Sequence, residues 1–139
     1  MNLELTTLLG TKVNTQVYEV ILPTHDGEIA VFPGHEPLVT LAVPGAIAVR
    51  RKRGQQDLDY YAITGGVIEI NQRRVLVLVD EAEHGDDIIE AETKSALDRA
   101  LELRAKATSQ IELEKAHQLV EHHAARLRVA DLHRRRRRP

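Results

Sequence analysis

Every glycine in this chain falls at or before Gly85, and no proline separates Pro44 from Pro139. The first part is therefore punctuated every few residues, and the second offers nothing that would interrupt a helix. Short apolar runs between Gly and Pro turns read as strands, while a long unbroken polar-apolar stretch reads as helix. The chain must change architecture near Gly85. We expect a β + α arrangement, with an antiparallel β-sandwich over residues 1–84 and an antiparallel two-helix hairpin over residues 85–139.

Within the first part, Lys12 to Leu22 carries Val13, Val17, Val20 and Ile21 and ends at Pro23 and Asp26-Gly27. Ile29 to Phe32 and Leu38 to Val43 flank Pro33-Gly34, a pair suited to a tight turn because Pro fixes φ and Gly tolerates positive φ. Gly45 to Val49 places Ile47 and Val49 on one face and alanines on the other. Asp57 to Ile63 and Val67 to Ile70 enclose Gly65-Gly66, the mark of a bulge or sharp bend. Arg74 to Asp80 is the most apolar of these runs and is expected to lie buried between two sheets. Only 3% of residues are aromatic, so the core must be built from Val, Ile, Leu and Ala.

Across the boundary, Asp80, Glu81, Glu83, Asp86, Asp87, Glu90 and Glu92 form an acidic run without a single Lys or Arg, and Gly85 is its natural hinge. Asp87 with Glu90 suits a helix N-cap. A stripe of Ile89, Thr93, Ala96, Ala100, Leu103 and Ala107 follows, at alternating steps of four and three. Ser109 and Glu112 have capping-box spacing for a second helix, whose stripe is Leu113, Ala116, Val120, His123, Leu127 and Ala130. Each helix would be ~30 Å long. Small residues permit close approach but bury little area, so the hairpin is expected to detach from whatever it lies on. From Glu121 onward seven arginines (Arg126, Arg128 and Arg134 to Arg138) meet only Glu121 and Asp131. These cations suit an acidic protein surface, or pair internally with the acidic run from Asp80 to Glu92.

Several functions are excluded on chemical grounds. The chain has no cysteine, no Gly-Lys phosphate loop, no Gly-x-Ser-x-Gly and no His-Glu-x-x-His. His122 and His123 point about 100° apart on a helix, and His117 is five residues from His122, so neither spacing suits a metal. No cofactor, metal or catalytic residue is expected, and the chain reads as a binding or regulatory module. The tip Arg50 to Arg53 lacks aromatic stacking partners and reads as a solvated hairpin end. Residues 1–5 lack the character of a signal peptide, and no apolar run approaches the ~20 residues of a membrane span.

The motifs Gly27-Glu28-Ile29, Pro33-Gly34-His35-x-Pro37-Leu38, Pro44-Gly45, Thr64-Gly65-Gly66-x-x-Glu69 and Leu127-Arg128-Val129-Ala130-Asp131-Leu132 resemble the ε subunits of bacterial F-type rotary ATP synthases. The resemblance implies a non-catalytic central-stalk subunit at the cytoplasmic face of the bacterial membrane, peripheral and coupling either protons or sodium ions. It implies a sandwich bound to the γ shaft and seated on the c-ring, with Glu28 and His35 at the ring-facing end. It implies a hairpin that extends toward the α/β catalytic head and inhibits ATP hydrolysis. In that role Arg126, Arg128, Arg134, Arg135, Arg136, Arg137 and Arg138 would meet an acidic loop of the catalytic subunit. Members that bind ATP carry Ile/Leu-Asp-x-x-Arg-Ala at the first helix. Here the Asp position is Ile89 and the Arg position is Glu92, so ATP binding is expected to be weak or absent. The alternative is an adaptor for nucleic acid or acidic proteins that uses the Arg-rich end.

Overall fold

The computed structural model describes residues 1–136. Ten strands precede two helices among them: β1 Asn2–Thr7, β2 Gly10–Gln16, β3 Glu19–Thr24, β4 Gly27–Val31, β5 Leu38–Ala42, β6 Gly45–Arg50, β7 Asp59–Ile63, β8 Gly66–Ile70, β9 Arg74–Val79, β10 Ala82–His84, α1 Glu90–Ala105 and α2 Gln110–Arg136. The strands run in the order β10-β7-β6-β3-β5-β8-β9-β1-β2, with β4 on β3. The β3–β5 link is one residue pair, Thr24 with Ala42, and there the sheet folds into two layers. All pairings are antiparallel except β1 with β9.

Alternation explains the core. Val20, Leu22, Ile47, Val49 and Ile63 from one layer meet Leu3, Leu5, Ile68, Ile70, Val75 and Val77 from the other, all nearly or fully buried. Two departures from the sequence expectations follow from the layering. The apolar run Lys12 to Leu22 is two strands, because β2 pairs with β1 in one layer and the chain then crosses at Val17-Tyr18 to the other. Strand β9 is buried on one face only: Val75, Val77 and Val79 point inward, while Leu78 stays exposed because no described element covers that side. Gly65-Gly66 lies at the bend between β7 and β8, and a Cβ on Gly66 would stand 2.0 Å from the Leu78 carbonyl oxygen.

The turns gather at two ends. Turns 8–9, 25–26, 43–44, 64–65 and 80–81 lie at one end, with the link 17–18, the loop 32–37 and the turns 51–58 and 71–73 at the other. We call these the Leu8 end and the His35 end.

Beyond β10, Gly85–Asp87 forms a 3₁₀ turn whose Asp86 N–H donates to Nδ1 of His84 at 3.2 Å. The expected Asp87–Glu90 cap is absent, since α1 begins at Glu90 behind Ile89 with no side-chain cap. Ser109 does cap α2: its Oγ accepts from the Glu112 N–H at 3.1 Å, and Glu112 reaches back to the Thr108 N–H at 2.9 Å. Helix α2 lies across β6 and β7. Val129 and Ala130 pack on Ala62 and Ile88, with Ala46 and Tyr60 beside them, so the alanine face of β6 and β7 is the seat for the helix. Val129 contributes ~1.5 kcal/mol of apolar burial there, and the alanines less. Leu103 and Leu113, members of the expected apolar stripes, stand exposed on either side of the turn that joins the helices.

Candidate functional site

The loop after β4 is a Pro-Gly turn. Gly34 has φ +86°, the His35 N–H donates to the Phe32 carbonyl at 3.2 Å, and the Gly34 N–H donates to Gln72 at 3.1 Å. His35 is held by its own Nδ1 contact with the Glu36 carbonyl at 2.6 Å. Glu28 sits at the other end of β4, opposite Pro23 and beside the Thr24–Gly27 turn. At ~3.3 Å per residue, the backbone at Glu28 is about 13 Å from Phe32, and His35 lies beyond it. The expectation that Glu28 and His35 share one ring-facing end is corrected accordingly, since a strand separates them. Glu28 shares its end with the β1–β2 turn, where Leu8 and Leu9 are 82% and 94% exposed.

On the outer face of the β5-β8-β9 layer, cross-strand partners Leu41–Val67 and Val67–Leu78 form an apolar ladder, 55%, 40% and 44% exposed in chain order. Val39 extends it along β5. Contiguous exposed apolar residues of this kind suit contact with another protein surface. Sequence reading missed the ladder. The signal was the apolar run of β9, read as burial between layers although a two-layer fold leaves one side of each strand outside.

The arginines of α2 are largely spent inside the chain. Arg126 holds both oxygens of Glu83, at 2.7 and 3.3 Å. Arg134 reaches Glu90 at 3.7 Å and also Asp131, Arg135 holds Asp131 at 3.1 Å, and Arg136 holds Asp59 at 2.6 Å and the Leu58 carbonyl. Arg128 is exposed, and Arg137 and Arg138 lie outside the described residues. The acidic run thus engages Arg126 and Arg134, while Arg136 chooses the sandwich. Arg51 also holds Asp59, at 2.9 Å, and Arg50 holds Glu19 at 2.9 Å, so the basic tip is half neutralised. Burial pushes the Asp59 carboxyl up, but hydrogen bonds from Arg51 and Arg136 outweigh it and leave Asp59 below the usual carboxylate range.

Gly85 is buried against the His133 ring. An open groove between the helices, about 440 Å³, is lined by Lys94, Arg128, Glu90 and Asp131 among others, while Ile89 and Glu92 do not line it. The two carboxylates, one from each helix, disfavour a polyphosphate there. Among the described residues no group of three or more acids and histidines is arranged for a metal, and no helix is long and apolar enough to cross a membrane.

Comparison with known proteins adds independent findings. The family described as "ATP synthase, Delta/Epsilon chain, beta-sandwich domain" matches residues 1–85. The chain is 33% identical over 112 residues to an ATP synthase epsilon chain of Brucella suis, covering 78% of this chain and 82% of that one. It is 35% identical over 97 residues to an ATP synthase epsilon chain of Janthinobacterium, covering 70% and 69%. A chain of the Euglena gracilis mitochondrial ATP synthase, in a structure of OSCP, F1 and c-ring, superposes with TM-score 0.78 at 25% identity, over 92% of this chain and 79% of that one. A chain from the Tetrahymena thermophila mitochondrial ATP synthase central stalk and c-ring shares the fold, with TM-score 0.59 at 11% identity over 91% and 96%.

Proposed function

Because this chain belongs to the ATP synthase delta/epsilon family, we propose that it is a non-catalytic rotor subunit of the central stalk, joining the γ shaft to the c-ring. The observation that carries this reading is the open ladder Leu41–Val67–Leu78, a continuous cross-strand apolar face on the outside of the sandwich. It is the surface for the shaft. The Leu8 end, with exposed Leu8, Leu9 and Glu28, is the seat on the ring, and His35 faces away from it. Association with the cytoplasmic face of the membrane is through the complex.

The helical hairpin is the regulatory part, divided from the sandwich at the Gly85 hinge. Docked, its arginines hold Glu83, Glu90 and Asp59. Extended, Arg126, Arg134 and Arg136 release these carboxylates and, with Arg128, Arg135, Arg137 and Arg138, meet acids on the α/β head and obstruct hydrolysis. The same internal pairing weighs against the adaptor for nucleic acid, because Arg50, Arg51, Arg126 and Arg136 already hold carboxylates.

Two measurements test this. Leu41→Asp with Val67→Asp should leave the sandwich folded and weaken capture of the isolated γ subunit by about 100-fold or more, since central apolar contacts carry ~2 kcal/mol or more each. Undiminished capture would remove the ladder from the interface. Truncation before Ser109 in the assembled complex should raise hydrolysis and spare synthesis, whereas loss of both would make the hairpin purely structural.

A further inference from the structure

Gly85 opens the 3₁₀ turn between sandwich and hairpin, and its backbone does not require a glycine. Among the described residues positive φ is confined to Gly10, Gly27, Gly34 and Gly54, where an added Cβ would meet open space. At Gly85 the reverse holds. The right-handed turn is a conformation that any L residue adopts, and space is what excludes a side chain. A Cβ on Gly85 would stand 2.8 Å from His133 Cβ, 2.9 Å from Cγ and 3.1 Å from Nδ1.

His133 comes from the last turns of α2 and is only 6% exposed. Its Nε2 meets the Asp86 carboxylate, and its ring stands edge-on to His84 at 5.7 Å. His84 stands edge-on to Tyr61 in turn, at 4.9 Å. A column of three rings thus runs from β7 through β10 to α2. Nδ1 of His133 has no hydrogen-bond partner among the described residues, so the ring is held against Gly85 by shape alone. Rotation about χ1 would move the ring but not His133 Cβ, whose place is set by the helix backbone. A side chain at position 85 therefore cannot be accommodated by a new rotamer. Helix α2 itself must shift, and it carries Arg126 on Glu83, Val129 on Ala62 and Arg136 on Asp59.

We propose that Gly85 is a socket for His133, and that this contact locks the hairpin in its docked state. The proposal rests on the reading above that the hairpin leaves the sandwich, and it names the contact that has to open first. A socket and a swivel make opposite demands. If glycine served only to let the chain pivot, alanine would restrict the released hairpin and favour docking. If glycine makes room for the ring, alanine drives α2 away from its seat.

The test uses the full chain, which has no cysteine of its own. Spin labels at Gln56→Cys on the sandwich and Lys106→Cys at the hairpin turn, both exposed, report whether the hairpin is docked. Gly85→Ala should raise the released population several-fold while sandwich amide resonances persist. His133→Gly, which removes ring and Cβ together, should also raise it, with Arg126 and Val129 still holding part of the population docked. In that background Gly85→Ala should add nothing, because nothing is left to clash with. A smaller or unchanged released population in Gly85→Ala would overturn the proposal, as would an equal rise with and without His133. Val129→Asp opens a different contact. If it moves the labels and Gly85→Ala does not, the lock fails and the mobile hairpin stands. In the assembled complex Gly85→Ala should lower ATP hydrolysis. Labels that move without that loss would support the lock and remove the inhibitory role from the hairpin.

Discussion

Gly66 shows how one residue can hold two strands in register. Its missing side chain would meet the Leu78 carbonyl oxygen at 2.0 Å and Val79 Cα at 2.9 Å, all backbone and unable to yield. Gly66→Ala should therefore cost ~3 kcal/mol, the upper part of the range for overpacking. In urea this would appear as a lower midpoint at unchanged slope, and an unchanged midpoint would show that the β8–β9 ladder shifts to make room. Asp59 is the comparable residue for the hairpin. Its carboxyl is lowered in the folded state, so its contribution is complete above the ordinary carboxylate range, ~4, and is lost as pH falls through its lower folded value. Carbon-detected titration should place Asp59 below the other aspartates, and Arg136→Gln should move it up.

Among the elements, α2 is the one with divided loyalties: it packs on α1 along one side and on β6 and β7 along another. Val129 is fully buried at that second contact. Val129→Asp would bury an unpaired carboxylate, at a cost of several kcal/mol, so the hairpin should leave the sandwich while the strands remain. Hydrogen exchange should then accelerate throughout both helices and not in β6 or β7, and proteases should cut near Gly85. A milder probe is Ser109→Ala, which removes one cap bond at ~1 kcal/mol and should speed exchange about fivefold in the first turns of α2 only.

For the molecule as a whole, charge is nearly balanced, with 19 Lys and Arg against 21 Asp and Glu, yet it is paired across the hinge. Arg126–Glu83 and Arg136–Asp59 tie one part to the other, so salt should weaken docking without touching the apolar core. In the groove between the helices each wall brings one acid and one cation, Glu90 and Lys94 from α1 and Asp131 and Arg128 from α2. Calorimetry with the isolated chain should give no ATP binding tighter than about 1 mM, an affinity of ~4 kcal/mol. Millimolar-or-tighter binding would show that the loss of the Asp and Arg positions at Ile89 and Glu92 is compensated elsewhere.

The order of strands then helices, the Pro33-Gly34 turn and the Ser109 cap were all determined locally. Each rests on a few neighbouring residues whose backbone preferences do not depend on what packs above them. Side-chain placement across the fold was not local. That β9 would be open on one side, that Glu28 and His35 would part to opposite ends of β4, and that His84 would meet His133 all depend on which strands pair and which face the helix covers. An alternating strand specifies two faces but not which of them another layer will cover. Only tertiary packing decides that, because burial is a property of the pair of surfaces and not of either one.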